Sequence, residues 1–182
     1  MTTLLTTRTT PRAQLWAGER AGRYERIARG LYRPVDAPAV DWELVEAAAR
    51  RHDATVCLTS ALAYHNLIDD ISEALDIALP RGARIPATKA AIRFHSFDAA
   101  TFELGRELIT IPGTDGLQIG IYSAERSITD AFRLRGQLGY ETGVQALRAW
   151  LNRGGKPSTL AAFATSLPRS AKLLETLTIL TA

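Results

Sequence analysis

Residues 107–135, ELITIPGTDGLQIGIYSAERSITDAFRLR, change from a pattern typical of β-strands to one typical of α-helices, and this change indicates the fold class. Two short runs of strand-forming residues flank the turn sequence GTDG at 113–116, which predicts a pair of antiparallel strands. Beyond Ser123, a residue that can cap a helix, apolar residues recur at helical spacing. Strands followed by helices within one stretch predict an α+β fold.

The segments on either side of this stretch extend both patterns. Upstream, apolar and polar residues alternate at 75–80 and form a further short run at 91–94, so we predict strands there. A brief helix before them is predicted to be capped by Thr59 or Ser60. The last 60 residues have helical periodicity only. The sequence therefore predicts a small, largely antiparallel sheet followed by a C-terminal helical cap.

Composition excludes several classes of protein. The chain has 182 residues, of which 46% are hydrophobic and 23% charged, as in ordinary globular proteins. One cysteine, Cys57, and three histidines offer no cluster at zinc spacing. No apolar run reaches the length of a membrane span, and the Thr-rich start lacks the core of a signal peptide. We therefore expect a cytoplasmic protein without a membrane segment, a structural metal or a cofactor.

Charge is distributed unevenly along the chain. Residues 1–35 hold seven arginines against two glutamates, a net charge of +5 within a total of +3, which leaves a mildly acidic remainder. The pair Thr10 and Pro11 predicts a short helix, and residues 24–34 predict two strands around a turn at Gly30. We therefore divide the chain into a basic helix-plus-wing arm, 1–35, and a body, 36–182. A solvated basic terminus is the alternative interpretation.

The sequence contains no set of catalytic residues at the spacing that their chemistry requires. Neither a phosphate-binding glycine loop nor a nucleophile or zinc-protease motif occurs. One acidic cluster suggests a metal-dependent nuclease: Asp69, Asp70, Glu73 and Asp76, followed by Lys89. The spacing does not suit such a site, because no carboxylate stands two residues before the lysine. We therefore predict that the chain is not an enzyme.

Other reactive side chains have structural interpretations. His65 could be a general base but more often packs at a helix end, and Cys57 lies in an apolar run that favours a core position. Two charged pairs in the first C-terminal helix are expected to form exposed ion pairs or to satisfy a neighbouring turn: Glu125 with Arg126, and Asp130 with Arg133.

Five motifs occur together in a recognisable order. They are ARGLYRP (28–34), LTSALAYHNL (58–67), DIALPRGAR (76–84), IRFHSF (92–97) and IYSAERSITDAFRLR (121–135). In this order they resemble AbiEi-type antitoxins, and the resemblance covers residues 23–182. It implies a transcriptional autorepressor of a type IV toxin–antitoxin or phage-defence operon. The same resemblance implies a partner, a nucleotidyltransferase-like toxin encoded by the neighbouring gene.

The resemblance also implies an architecture, a winged helix-turn-helix joined to a mixed α/β C-terminal domain. The 35 residues of the arm accommodate one helix and the wing, so we expect the winged-helix part to be shortened. A shortened start or a naturally reduced member of the family would both explain this.

The arm contains the residues that we expect to bind DNA: Arg12, Arg20, Arg23, Arg26, Arg29, Tyr32 and Arg33. Arginines of a wing can reach phosphates, while Arg12 and Arg20 would be carried toward a groove by the helix. Tyr32 either donates to a phosphate or anchors the hairpin, and Arg8 could enter a minor groove. The expected partner is operator DNA with inverted repeats, which a homodimer would occupy. The alternative is an antitoxin that acts mainly by binding its toxin directly, with weak or no DNA binding.

Overall fold

The computed structural model describes residues 4–7, 9–37, 39–70 and 72–181, so Arg8 lies outside the described residues. The strands of this part are β1 (Leu5–Thr6), β2 (Tyr24–Ala28), β3 (Leu31–Pro34), β4 (Thr55–Val56), β5 (Leu75–Pro80), β6 (Ile92–Phe97), β7 (Arg106–Thr110) and β8 (Gln118–Tyr122). Its α-helices are α1 (Arg12–Arg20), α2 (Trp42–Arg50), α3 (Leu58–Tyr64), α4 (Ala124–Arg133), α5 (Arg135–Leu138), α6 (Tyr140–Asn152), α7 (Pro157–Thr165) and α8 (Ala171–Thr181). These elements confirm the α+β class.

The arm contains the predicted helix and hairpin together with a strand that was not predicted. β2 and β3 pair antiparallel around a turn at Gly30, whose φ of +77° lies in the left-handed region that favours glycine. β1 pairs with β3 on its other edge, giving a three-stranded sheet in the order β1-β3-β2. α1 packs on this sheet through Leu15, which is fully buried.

The body contains a five-stranded sheet in the order β6-β5-β4-β8-β7. β4 pairs antiparallel with β5, and β7 with β8, but β5 and β6 are parallel, as are β4 and β8. The sheet is therefore mixed, whereas the sequence predicted a largely antiparallel one. Parallel partners are joined by long connections rather than by a local turn, so no hairpin signal marks them.

Helices cover both faces of the body sheet. Ile77, Ile119 and Ile121 pack in one cluster with Val45 and Ala47 of α2, because alternate strand residues point to one face. The opposite face carries Ala78 and Tyr122, which cluster with Phe97 and Phe102.

α3 begins one or two residues before the predicted caps. Cys57 precedes it in an extended conformation without a side-chain cap, and the first helical residue, Leu58, has a φ of +48°. The Ser60 hydroxyl instead accepts a hydrogen bond from the Asp76 amide at 2.9 Å. The cap prediction was wrong because Thr59 and Ser60 both lie inside the helix, where the Ser60 hydroxyl contacts a strand. α3 ends at Tyr64, and Asn66 just beyond it has a φ of +53°.

The C-terminal helices form the predicted cap, and Ser123 caps α4 with a hydroxyl that accepts from the Arg126 amide at 3.2 Å. Their shared core includes Ile128, Phe132, Leu147 and Leu160. Burial of each such side chain contributes about 1.5–3 kcal/mol. In the described part of the chain no helix is long and apolar enough to cross a membrane.

Candidate nucleic-acid interface

A cavity of about 630 Å³ lies between α1 and the β2–β3 hairpin. We call it the arm groove. Its described lining residues are Thr7, Arg12, Ala13, Trp16, Arg26, Arg29, Gly30, Tyr32 and Arg50. The fold thus brings together residues from the helix, the hairpin and the body.

α1 contributes an arginine and an exposed indole to the arm groove. Arg12 and Trp16 are four residues apart, so their side chains are neighbours on one helix face. Trp16 is 63% exposed, although tryptophan is usually among the well-buried residues. An exposed indole beside a guanidinium is a surface that can stack on planar groups or pack against sugars.

The hairpin contributes Arg26, Arg29 and Tyr32. Arg26 is paired in register with Tyr32, so both side chains lie on the same face of the hairpin. Tyr32 is buried at 6% exposure, whereas Arg26 and Arg29 are exposed. This burial favours the interpretation of Tyr32 as an anchor of the hairpin, which leaves the two arginines facing solvent at the groove.

The body adds Arg50, the last residue of α2. Its Nη1 donates to the backbone oxygen of Arg29 at 3.1 Å. Its Nε lies 3.7 Å from Glu46 and has no hydrogen-bond partner among the described residues. Arg50 is 21 residues from Arg29 in sequence, so only the docking of α2 under the hairpin brings it to the groove.

The electrostatic character of the arm groove is positive. Four arginines line it, and none of its lining residues in the described ranges is acidic. Glu46 offsets part of the charge of Arg50, but Arg12, Arg26 and Arg29 form no ion pair with any described acid. A cleft lined by one sign of charge focuses the field and attracts polyanions.

Three of the predicted DNA-binding arginines are not brought to the groove. Arg33 donates from Nε to Glu25 at 2.6 Å and lies over the ring of Trp42, 4.7 Å from its centroid. Glu25 and Arg33 are a register pair on the hairpin face opposite to Arg26. Arg20 and Arg23 are exposed near the end of α1 and do not line the groove.

Contacts from the body hold the hairpin backbone at the groove. Glu46 is fully buried, and its carboxylate accepts hydrogen bonds from the amides of Lys89, at 3.0 and 3.1 Å, and Ala90, at 2.8 Å. The ammonium of Lys89 then donates to the backbone oxygen of Arg26 at 3.1 Å. Arg50 donates in the same way to the backbone oxygen of Arg29, so the backbone of both exposed hairpin arginines is held by hydrogen bonds from the body. In sequence, Glu46 looks like a polar position of an amphipathic helix, so this role could not be predicted locally.

Four of the residues considered for catalysis, His65, Cys57, Asp76 and Lys89, are buried or engaged in structural contacts, whereas Asp69, Asp70 and Glu73 are exposed. His65 hydrogen-bonds the Tyr122 carbonyl through Nε2 at 2.8 Å, and burial raises the pKa of the Cys57 thiol. Asp76 is buried and hydrogen-bonds His95 Nε2 at 2.8 Å, while Lys89 is directed at the arm. In the described ranges, no three potential metal ligands come together in one group.

Of the two alternatives expected for the charged pairs of α4, the first, exposed ion pairs, does not occur. Arg126 and Asp130 are each 1% exposed and pair with each other at 2.7 Å, and Arg133 contacts the same carboxylate. Arg126 Nη1 donates to the backbone oxygens of Thr101 and Leu104, which confirms the alternative that this helix satisfies a neighbouring turn.

No protein-family model matches the chain, and no curated protein matches it.

Proposed function

We propose that the chain is the antitoxin of a toxin–antitoxin or phage-defence operon and represses its own transcription by binding operator DNA through the arm groove. The ordered motifs that resemble AbiEi-type antitoxins support the operon type. The same resemblance supports a nucleotidyltransferase-like toxin as the partner that the protein counteracts. The groove itself supports the DNA-binding step.

The observation that carries this proposal is the composition of the arm groove. Arg12, Arg26 and Arg29 are free of ion pairs with described acids and surround an exposed Trp16. Double-stranded DNA carries a phosphate charge about every 1.7 Å along its axis, so a cluster of arginines can neutralise several phosphates at once. The indole can pack against the sugar of the contacted backbone.

The fixed backbone of the hairpin supports a recognition role as well. Phosphate contacts position a protein on the duplex only if the contacting groups have a defined geometry. The carbonyl groups of Arg26 and Arg29 are bonded by Lys89 and Arg50. Fewer conformations are therefore lost when the two guanidinium groups bind.

Fluorescence anisotropy with a labelled duplex tests the proposal. The probe is the DNA immediately upstream of the gene, and the control is a scrambled duplex of equal length and composition. Specific recognition should give at least about 10³-fold tighter binding to the upstream duplex at the same salt concentration. Equal affinity for both duplexes would contradict operator recognition.

One observation favours the second candidate, an antitoxin that binds its toxin directly. A helix-turn-helix places a second helix in the major groove, and the described part of the arm has only α1 before the hairpin. The triple variant Arg12→Ala/Arg26→Ala/Arg29→Ala tests this candidate. It would be favoured if the neighbouring gene product copurified with the variant and if the variant kept its full antitoxin activity.

A further inference from the structure

A second, smaller cavity lies in the body, where two strands end beside the helical cap. β5 and β6 are parallel, and the register pair Pro80 and Phe97 places their carboxyl ends at the same edge of the sheet. The cavity of about 150 Å³ at this edge is also lined by residues of α4 and of the connection between α7 and α8. Crevices at the carboxyl ends of parallel strands are frequent ligand sites.

Four arginines from three parts of the fold converge on this cavity, which we call the arginine cavity. They are Arg81, Arg126, Arg133 and Arg169. Among the described residues that line it, Asp98 is the only acidic one, and its carboxylate accepts a hydrogen bond from the Ala100 amide at 2.9 Å. Asp130, which pairs with Arg126 and Arg133, adds a second carboxylate. Four arginines against two aspartates leave an excess of positive charge around the cavity.

Existing contacts leave part of the arginine cavity available to a ligand. Arg126 uses Nε for Asp130 and Nη1 for the carbonyl groups of Thr101 and Leu104, but its Nη2 donates to none of the described residues. Arg133 contacts Asp130 and donates from Nε to the Pro168 oxygen at 2.7 Å. The two arginines are thus fixed in place by bonds that do not use all their donors.

Arg81 and Arg169 complete the cavity without internal partners. Both residues are exposed, and neither side chain has a hydrogen bond or an ion pair with another described residue. Arg169 also has a φ of +62°, a conformation that costs a non-glycine residue about 1–2 kcal/mol. Such backbone conformations are concentrated at ligand sites, where they aim a side chain.

We propose that the arginine cavity binds a phosphate group, as inorganic phosphate or as the terminal phosphate of a small phosphomonoester. The planar guanidinium group can donate two parallel hydrogen bonds to two oxygens of one phosphate. A volume of about 150 Å³ equals that of about five waters at about 30 Å³ each. It accommodates the five heavy atoms of a phosphate and excludes a nucleoside, so any attached group stays outside. This site is independent of the arm groove and of the proposed function.

Thermal unfolding of the full chain in the presence of inorganic phosphate, AMP or chloride at equal ionic strength tests the proposal. Phosphate at a few times its dissociation constant should raise the Tm by about 2–4 °C, and chloride should not. The double variant Arg81→Ala/Arg169→Ala should lose this increase. The control variant Arg23→Ala/Arg148→Ala removes the same charge from exposed positions that line neither the arm groove nor the arginine cavity. This control should keep the Tm increase with phosphate.

The outcomes separate the two sources of the phosphate group. An increase with phosphate alone assigns the free ion, and an equal increase with AMP assigns a terminal phosphate; both support the site. The Tm of each variant without phosphate reports on its folding, and ³¹P line broadening of phosphate provides a binding signal that does not depend on stability. The proposal would be overturned if the unmodified protein showed neither a Tm increase nor line broadening with phosphate. It would also be overturned if both double variants lost the Tm increase equally.

Discussion

At the scale of single residues, Arg126 joins more parts of the molecule than any other side chain discussed above. It pairs with Asp130, bonds two backbone oxygens of the turn at 101–104, and lies over the ring of Tyr122, 4.3 Å from its centroid. Burial raises the pKa of the Asp130 carboxyl, and the two neighbouring arginines act in the opposite direction. The ion pair is therefore needed to keep this carboxylate inside the fold.

We predict that Arg126→Ala lowers the free energy of unfolding by about 3–5 kcal/mol, because it leaves a buried carboxylate without its main partner. Urea denaturation measures this change. The exposed arginine of α6, replaced in Arg148→Ala, is the control and should change stability by no more than about 0.5 kcal/mol. Similar losses for the two variants would contradict the structural role of Arg126.

Asp53 predicts a pH dependence of stability. Its carboxylate accepts two hydrogen bonds from Arg51, at 2.8 and 2.6 Å, and this contact lowers the pKa of the carboxyl. Between the lowered pKa and the ordinary value of about 3.9, the unfolded chain binds more protons than the folded one. The contribution of this contact to the free energy of unfolding is therefore complete above the ordinary pKa and is lost as the pH falls through the lowered value.

We predict that Asp53→Asn destabilises the protein by about 0.5–1 kcal/mol at pH 7, since both side chains are partly exposed. Urea denaturation of both proteins at pH 7 and pH 3 should show a difference that shrinks at the lower pH. A difference that persists or grows at pH 3 would show that the pair does not act through the charge of Asp53.

At the scale of elements, the β2–β3 hairpin depends on its turn. A Cβ added at Gly30 would lie 3.0 Å from the Thr7 hydroxyl, and the φ of +77° is unfavourable for any other residue. We predict that Gly30→Ala costs about 1–2 kcal/mol, with faster hydrogen exchange of the β2 and β3 amides.

Gly136 in α5 provides the matched control for this substitution. Its Cβ position is open and its φ is not in the left-handed region, so Gly136→Ala should be neutral or stabilising by up to about 1 kcal/mol. Equal effects of the two substitutions would contradict the conformational argument at Gly30.

Elements with a strong local signal were predictable from the sequence. Ser123 caps α4 through a bond from the Arg126 amide, as its position before an apolar stripe indicated. β1 was not predictable, because a two-residue strand has no periodicity and exists only by pairing with β3. β6 likewise extends to Phe97, beyond the predicted end, since β5 supplies partners along its whole length.

The candidate site was predictable only where its residues are close in sequence. Arg12, Arg26 and Arg29 belong to one basic segment whose charge stands out in the sequence. Arg50 and Lys89 reach the arm from the body through tertiary contacts, and nothing in their local pattern indicates this. Arg33 was included because it shares the charge of the segment, but strand alternation places it beside Glu25, on the other face of the hairpin.

At the scale of the whole molecule, the arm and the body have separate sheets. Contacts between them include the bonds of Lys89 and Arg50 to the hairpin and the stacking of Arg33 on Trp42. We predict that residues 36–182 alone unfold in one cooperative transition, because the five-stranded sheet and its helices lie entirely in this segment. Urea denaturation monitored by circular dichroism and tryptophan fluorescence checks this. A truncated protein without a cooperative transition would contradict the division.

The proposed binding of DNA in the arm groove makes a quantitative claim about the salt dependence of affinity. Log affinity should fall with log salt by about 0.9 for each phosphate neutralised. Arg26→Ala/Arg29→Ala should therefore reduce the magnitude of this slope by about 1.8 for each protomer bound. Arg20→Ala/Arg23→Ala removes the same charge outside the groove and should change the slope much less. An unchanged slope and affinity for Arg26→Ala/Arg29→Ala, or an equal reduction in both variants, would contradict the claim.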